Sequence, residues 1–310
     1  MSEPYTSRHI YHITDTFDTR ARGKIDGAYT KYRAQLGLRD TGYSFVPALN
    51  TVDIGISVSE FASNTQRPDR LIFAVNCAPP DKKEGTKDNA RNDFFGAVVG
   101  DHTDHIIVCG TSNGYEFSYL KPHIKALYRF TNTNSLKSQF RSLEILPQHA
   151  LLFSNPHHRA RLVTSGVLEN VENIDDIVPS VPNVTHVYEV DNFSNVKLFP
   201  SCGDLALLRD LEGKVIRFSF SDTSVETSAR PIKATIDYDG LVASTLFAAP
   251  LQTNVVALRS SSRLLGSDES CIPIIATIRP NPAETEPNYD VPSIGRRVIL
   301  APSLQNLAAA

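Results

Sequence analysis

The apolar residues of this chain follow two different rhythms, and the change between them near residue 180 constrains the fold more than any other feature. From residue 8 to residue 153, short apolar runs alternate with stretches of helical spacing, the mark of βαβ units on a mostly parallel sheet. Residues 70–76 (Arg-Leu-Ile-Phe-Ala-Val-Asn) form one such run, closed by Cys77-Ala78-Pro79-Pro80, and residues 105–109 form another, closed by Gly110; both read as buried strands. Farther on, Leu120, Ile124, Leu127 and Tyr128 fall at i, i+4, i+7 and i+8, with Pro122 where a first turn tolerates it, so the spacing predicts a helix docking back on the sheet. After residue 180 the period becomes 2. Ile216, Phe218 and Phe220 alternate with Arg217 and Ser219 behind a Glu212-Gly213 turn, and residues 237–240 read as the next turn. The expected architecture is α/β: an N-terminal, mostly parallel sheet domain over 1–180, followed by a smaller antiparallel β, barrel-like domain over 181–310. Residues 154–182, with Asn155-Pro156-His157-His158 and an acidic stretch at 169–176, read as the linker.

Composition narrows the function. At 41% hydrophobic and 21% charged, the 310 residues suffice for a folded core, built from Val, Ile, Leu, Phe and Tyr because Trp is absent and Met occurs once, at position 1. A net charge of −3 lacks the basic surplus that a nucleic-acid binder uses to displace counterions. A small-molecule substrate is the expected partner, with no nucleic acid. The longest uncharged run, 240–258, carries Ser, Thr, Gln, Asn and Pro250 and reads as two strands around a turn, so no membrane partner is expected. The first residues carry no signal-peptide pattern, and the cysteines at 77, 109, 202 and 271 form no CxxC pair. A cytoplasmic, reducing location fits. His9/His12 and His102/His105 are spaced i, i+3 but lack a third ligand, so neither a metal nor a cofactor is expected. No GxSxG, HExxH or SxxK motif points to a standard hydrolase.

In open α/β sheets, ligands bind outside the carboxyl ends of the strands. Four segments fall there or at an equivalent turn. Asp15, in Ile13-Thr14-Asp15, suits either a ligand's hydroxyl or ammonium group or a helix N-cap. Asn76, with the Pro79-Pro80 exit, presents fixed groups, while Cys77 suits a small buried hydrophobe. The loop 110–118 can offer backbone N–H groups and hydroxyls, with Asn113 among its polar side chains and Tyr115 available to stack on a flat ring; its glycines match no nucleotide fingerprint. Asp191 and Asn195 bracket an Asx-rich turn between two strands, for which an ordinary β-turn is an equally good reading.

Taken in order, Thr14-Asp15, Asn50-Thr51-Val52-Asp53-Ile54-Gly55, 73–79, Asn113-Gly114-Tyr115 and Asp191-Asn192-Phe193-Ser194-Asn195 resemble the family of S-adenosylmethionine-cleaving enzymes, which holds the fluorinase, the chlorinase and the hydroxide adenosyltransferases. The resemblance runs over most of the chain and is carried by order and spacing more than by identical motif residues. It is closest to a divergent branch with an NTAPR-like strand exit and an NEGE-like helix start, which includes bacterial enzymes that form β-carbolines by Pictet–Spengler condensation. There a glutamate in the NEGE-like segment moves protons. This chain reads Asn89-Ala90-Arg91-Asn92-Asp93, so Asn92 takes the glutamate's place and Asp93 stands beside it.

The resemblance implies an enzyme of specialised metabolism that condenses or cyclises an amine-bearing molecule with a carbonyl partner. Asp93 would then be the proton-transfer group, Asn92 its neighbour, and Arg70 or Arg91 the fork for a substrate carboxylate. The alternatives are S-adenosylmethionine hydrolysis to adenosine and methionine, with Asp15 and Asn195 on the nucleoside side, and a non-catalytic ligand-binding relative. It also implies a pocket between domains or subunits, and hence a homo-oligomer, a dimer or trimer.

Overall fold

The computed structural model describes residues 8–15, 18–38, 41–65, 70–77, 93–100, 106–112, 114–131, 145–191, 194–225, 236–244, 254–258, 273–277, 292 and 295–302. The chain forms two compact units, Met1–Ser180 and Val181–Ala310. The first holds a seven-stranded sheet in the order β2-β1-β3-β5-β4-β6-β7, and the second a closed barrel in the order β10-β11-β12-β13-β9-β8-β14. This is the expected fold class, a mostly parallel α/β sheet followed by a β barrel.

In the first unit, β1 (His9–Thr14), β2 (Gly42–Pro47), β3 (Leu71–Asn76) and β5 (Ile106–Thr111) run parallel. Helix α1 (Thr19–Gln35) joins β1 to β2 and α2 (Thr51–Asn64) joins β2 to β3. Asp18 caps α1 by accepting from Arg20 N–H at 2.8 Å, and Ala21, Ile25 and Tyr29, spaced by four, form its buried stripe. Asn50 caps α2 through Asp53 N–H at 2.9 Å. Successive strand residues face opposite sides, so the core divides in two. Ile10, Ile72, Ala74, Ile107 and Cys109 pack with α1 and with Ala150, Leu151 and Phe153 of α3 (Leu146–Ser154). On the opposite face, Tyr11 stacks on Phe61 of α2 and on Phe73. The helices therefore cover both faces. That explains why β3 and β5 are apolar runs without alternation.

Three local expectations change. Residues 120–128 are not a helix: a 3-10 turn at Ser118–His123 leads into β6 (Ile124–Phe130). Its buried residues, Ile124, Leu127 and Phe130, recur every three positions, so the strand imitates helical spacing. Residues 94–99, which the sequence did not mark as a strand, form β4 (Phe94–Val99), all six residues buried and antiparallel to β5 and β6. The segment read as a linker is folded structure. Asn155 caps α4 (Pro156–Thr164), and β7 (Leu168–Asn170) pairs with β6.

In the second unit, β8 (His186–Val190), β9 (Val196–Phe199), β10 (Val215–Ser224), β11 (Asp237–Ala243), β12 (Asn254–Ala257), β13 (Ile274–Thr277) and β14 (Arg296–Pro302) close around Val187, Leu198, Phe218, Val256, Ile275 and Leu300. Helix α5 (Cys202–Asp210) adds Leu208 to that core. Residues 237–240 belong to a strand rather than a turn, paired with β10 through Gly240 opposite Ile216. The pairing is antiparallel throughout except between β11 and β12.

Candidate functional site

The chain leaves β1 by α1 on one face and returns to β3 by α2 on the other, so the sheet changes direction of growth between β1 and β3. This is the topological switch point at which open α/β sheets leave a crevice. Asp15 and Asn76 sit at its mouth, with Thr14 opposite Asn76 in the register. Asp15 N–H donates to Asn76 C=O at 3.4 Å, the Cys77 thiol donates to Asp15 Oδ2 at 3.7 Å, and Asn76 Nδ2 donates to Thr14 Oγ1 at 3.5 Å. Asp18 caps α1, so Asp15 is released from the capping role that the sequence left open. Cys77 is 4% exposed, as a small buried group should be.

Asp93 reaches the same edge by a different route. Because β4 is antiparallel to β5, the start of β4 lies at the carboxyl end of β5, with Phe94 opposite Thr111. Three inter-strand steps separate Asp15 on β1 from Asp93 on β4, about 14 Å at the usual strand spacing. That is too far for one atom to touch both, and within reach of one extended ligand. Asp93 Oδ2 lies 3.5 Å from Arg129 Nε, the two side chains being 32% and 41% exposed. Arg129 enters from the end of β6, facing Phe95 across the pair, and its guanidinium lies 5.6 Å from the centre of the Phe95 ring. No sequence reading selected Arg129. Its signal was a cation near the end of an apolar run, hidden by the helical reading of that run.

Arg70 is a correction. It precedes Leu71, which pairs with His9 at the amino end of β1, so Arg70 lies at the opposite edge of the sheet from Asp15, Asn76 and Asp93. A strand crosses the sheet, and its first and last residues cannot meet one small ligand. Arg91, Asn92 and Asn113 lie outside the described residues, as do His102, His105 and the prolines at 79 and 80.

The loop after β5 is also corrected in its chemistry. The amide of Gly114 donates to Glu116 Oε2 at 2.8 Å and that of Tyr115 to Thr51 Oγ1 at 3.1 Å, so neither N–H is open to a ligand. The loop is pressed onto the first turns of α2. A Cβ on Gly114 would stand 2.4 Å from Thr51 Oγ1, and one on Gly55 would stand 2.3 Å from Tyr115 C=O. Glu116, fully buried, was not selected from sequence either. A buried carboxylate is costly unless hydrogen-bonded, and its bond to Gly114 ties it to the loop it supports.

Asp191 and Asn195 belong to the second unit and close on each other. Asp191 accepts from Asn195 N–H at 3.0 Å and from Asn195 Nδ2 at 2.8 Å, and Ser194 adopts φ 63° in the turn between them. Among the described residues, no group of three or more His, Cys, Asp or Glu could hold a metal ion, and no helix is long and apolar enough to cross a membrane. The buried histidine on β1 belongs to the core. His12 shares a 3.0 Å hydrogen bond with Tyr29, and burial pushes its pKa down to about 3.

No protein-family model matches the chain, and no curated protein matches it. Among solved structures it is similar to an uncharacterized conserved protein from Thermotoga maritima, at 13% identity and a TM-score of 0.56, over 94% of this chain and 100% of that one. It also aligns with a conserved hypothetical protein from Thermus thermophilus, at 12% identity and a TM-score of 0.47, over 94% and 99%. At 13% identity, the Thermotoga likeness concerns the fold alone.

Proposed function

We propose that this chain is an enzyme that condenses an amine-bearing small molecule with a carbonyl partner and closes a ring, working at the carboxyl edge of its α/β sheet. The observation that carries this reading is Asp93, a half-exposed carboxylate brought to the ligand-binding edge by the antiparallel strand β4. Its contact with Arg129 is long, at 3.5 Å, between two part-exposed side chains, and such pairs contribute about 0–1 kcal/mol, so a substrate can open it at little cost. The substrate enters as its ammonium form; the amine nitrogen, on giving up a proton, attacks the carbonyl carbon, and that proton returns to the departing oxygen, so that water leaves and the positive charge stays on an iminium ion. An electron-rich ring carbon then bonds to the iminium carbon, and the proton lost from that ring carbon passes to Asp93. Asp15, across the crevice, suits an ammonium or hydroxyl group.

The test is incubation with an aryl-ethylamine amino acid and a set of aldehydes, with mass-spectrometric detection of cyclic product. Asp93→Ala is expected to lower the rate by about a hundredfold or more, the usual contribution of a positioned acid–base group. Equal product with and without the protein across the panel would sink the reading.

A second reading, cleavage of S-adenosylmethionine by water to adenosine, methionine and a proton, is favoured by Asp15 at the switch point, where a carboxylate can accept from ribose hydroxyls. Calorimetry with adenosine and S-adenosylmethionine tests it. Absence of binding at millimolar ligand removes it.

A further inference from the structure

Thr111 closes β5 with a hydroxyl that the fold does not use. The residue is 5% exposed, and its Oγ1 atom is buried and makes no hydrogen bond among the described residues. A buried hydroxyl without a partner is a net cost to folding, and valine fills nearly the same volume without it. Thr14, at the end of β1, shows the contrast: its Oγ1 donates to Asp15 Oδ1 at 3.4 Å and accepts from Asn76 Nδ2 at 3.5 Å. The register places Thr111 beside Asn76. Val75 of β3 pairs with Gly110 of β5, so the next residues, Asn76 and Thr111, end adjacent strands about 4.8 Å apart. Because side chains alternate along a strand, Asn76 continues the face of Ile72 and Ala74, and Thr111 that of Ile107 and Cys109, the face packed on α1 and α3. Asp93 precedes Phe94 and meets Arg129, the partner of Phe95, so it stands on the other side of the same rim. A ligand lying over the strand ends therefore has a hydroxyl and an amide on one side and a carboxylate on the other.

We infer that Thr111 Oγ1 and Asn76 Nδ2 form a donor pair for the oxygen of the carbonyl partner. The inference rests on the condensation reading above and deepens it by placing the second substrate. As the amine nitrogen bonds to the carbonyl carbon, the electron pair of the C=O π bond moves onto oxygen, and the two donors stabilise the charge that develops there. Protons from the nitrogen then pass to that oxygen, which leaves as water. Two features suit the pair to this task. The Thr111 hydroxyl is shut off from water, so no hydration is lost when it takes a ligand's oxygen, and the low-dielectric surroundings strengthen the bond. The Asn76 bond to Thr14 is at the long limit of hydrogen-bond geometry, so its amide can turn to a better acceptor at little cost.

Steady-state kinetics on the full chain test it, with L-tryptophan held saturating and the panel aldehyde that gives most product varied. Thr111→Val should lower kcat by about tenfold or more, as loss of a donor to a developing oxyanion does, and change KM for L-tryptophan little. Thr111→Ser keeps the hydroxyl and should stay within about threefold of the unaltered chain. The urea midpoint of Thr111→Val should be unchanged or raised, because the protein loses no hydrogen bond of its own. A lowered midpoint would show that the fold itself depends on the hydroxyl and would overturn the inference. An unchanged kcat in Thr111→Val, or equal losses in the valine and serine variants, overturns the donor pair and leaves the condensation reading standing. Absence of product with the unaltered chain overturns both.

Discussion

The turn at Asp191 and the sheet edge at Asp15 look alike as sequence, each an aspartate at a strand end followed by small and polar residues, yet the two units use them differently. In the barrel unit, Asp191 spends its carboxylate on Asn195, satisfying a main-chain and a side-chain donor in one turn. In the α/β unit, Asp15 and Asn76 stand 61 positions apart in sequence, at the ends of two different strands, and meet at the switch point. Asp93 meets Arg129 only weakly. A polar group becomes a candidate site when the fold, and not its own turn, sets its surroundings.

The largest expected effect tests whether the α/β edge is rigidly built. Gly55→Ala puts a methyl carbon 2.3 Å from Tyr115 C=O, a backbone atom that cannot swing aside. It should destabilise the first unit by about 2–3 kcal/mol in denaturant unfolding, the range of overpacked cores. A loss under about 0.5 kcal/mol, the size of an ordinary surface substitution, would mean that the loop after β5 yields easily and does not position Tyr115.

Acid separates the units next. Burial lowers His12 to about 3 and His149 to about 4 in the first unit, and His186 to about 4 in the second. In the unfolded chain each titrates near 6.5, so below that pH the unfolded state binds more protons and stability falls as pH falls, until the folded values are reached. The limiting slope is about 1.4 kcal/mol per pH unit for each histidine. Between about pH 6.5 and 4.5 the first unit should therefore lose stability about twice as steeply as the second, read by separate probes of each unit's unfolding. Equal slopes break that contrast.

A direct exchange of roles follows. Asp191→Ala removes two hydrogen bonds and should cost the second unit about 1–2 kcal/mol. Asp15→Asn should change stability by under about 0.5 kcal/mol, as surface substitutions do, while weakening binding of an amine- or ribose-bearing ligand. If Asp191→Ala weakened ligand binding and left stability unchanged, the turn would be a ligand contact as the family resemblance implies.

The smallest effect concerns Ser194, at φ 63°, a left-handed conformation that glycine adopts more readily than serine. Ser194→Gly should stabilise the second unit by up to about 1 kcal/mol by relieving the left-handed conformation, less whatever the serine hydroxyl contributes. A higher melting temperature checks it.

Legibility followed the same divide. The buried strands β3 and β5 and the alternation in β10 could be read because local patterning reflects which faces are covered. Strands β4 and β6 could not: β4 is buried on both faces and so loses its period, and in β6 the buried Ile124, Leu127 and Phe130 fall at helical spacing. Asp15 and Asn76 were legible as strand-end polar residues, whereas Asp93 was singled out only through the family resemblance, at an expected helix start and not at the start of a strand. Arg129 and Glu116 were not legible, because their significance depends on partners far along the chain or on burial.

By itself the sequence determined the class of the protein: the two hydrophobic periods are local facts that local physics converts into elements. Tertiary structure alone decided which of those elements share an edge. It set Arg70 at the wrong end of a strand for Asp15, reversed β4 so that Asp93 came to the right one, and put Arg129 beside it. Strand direction and order arise from long-range pairing, whose choice among partners leaves little trace in any short stretch of residues.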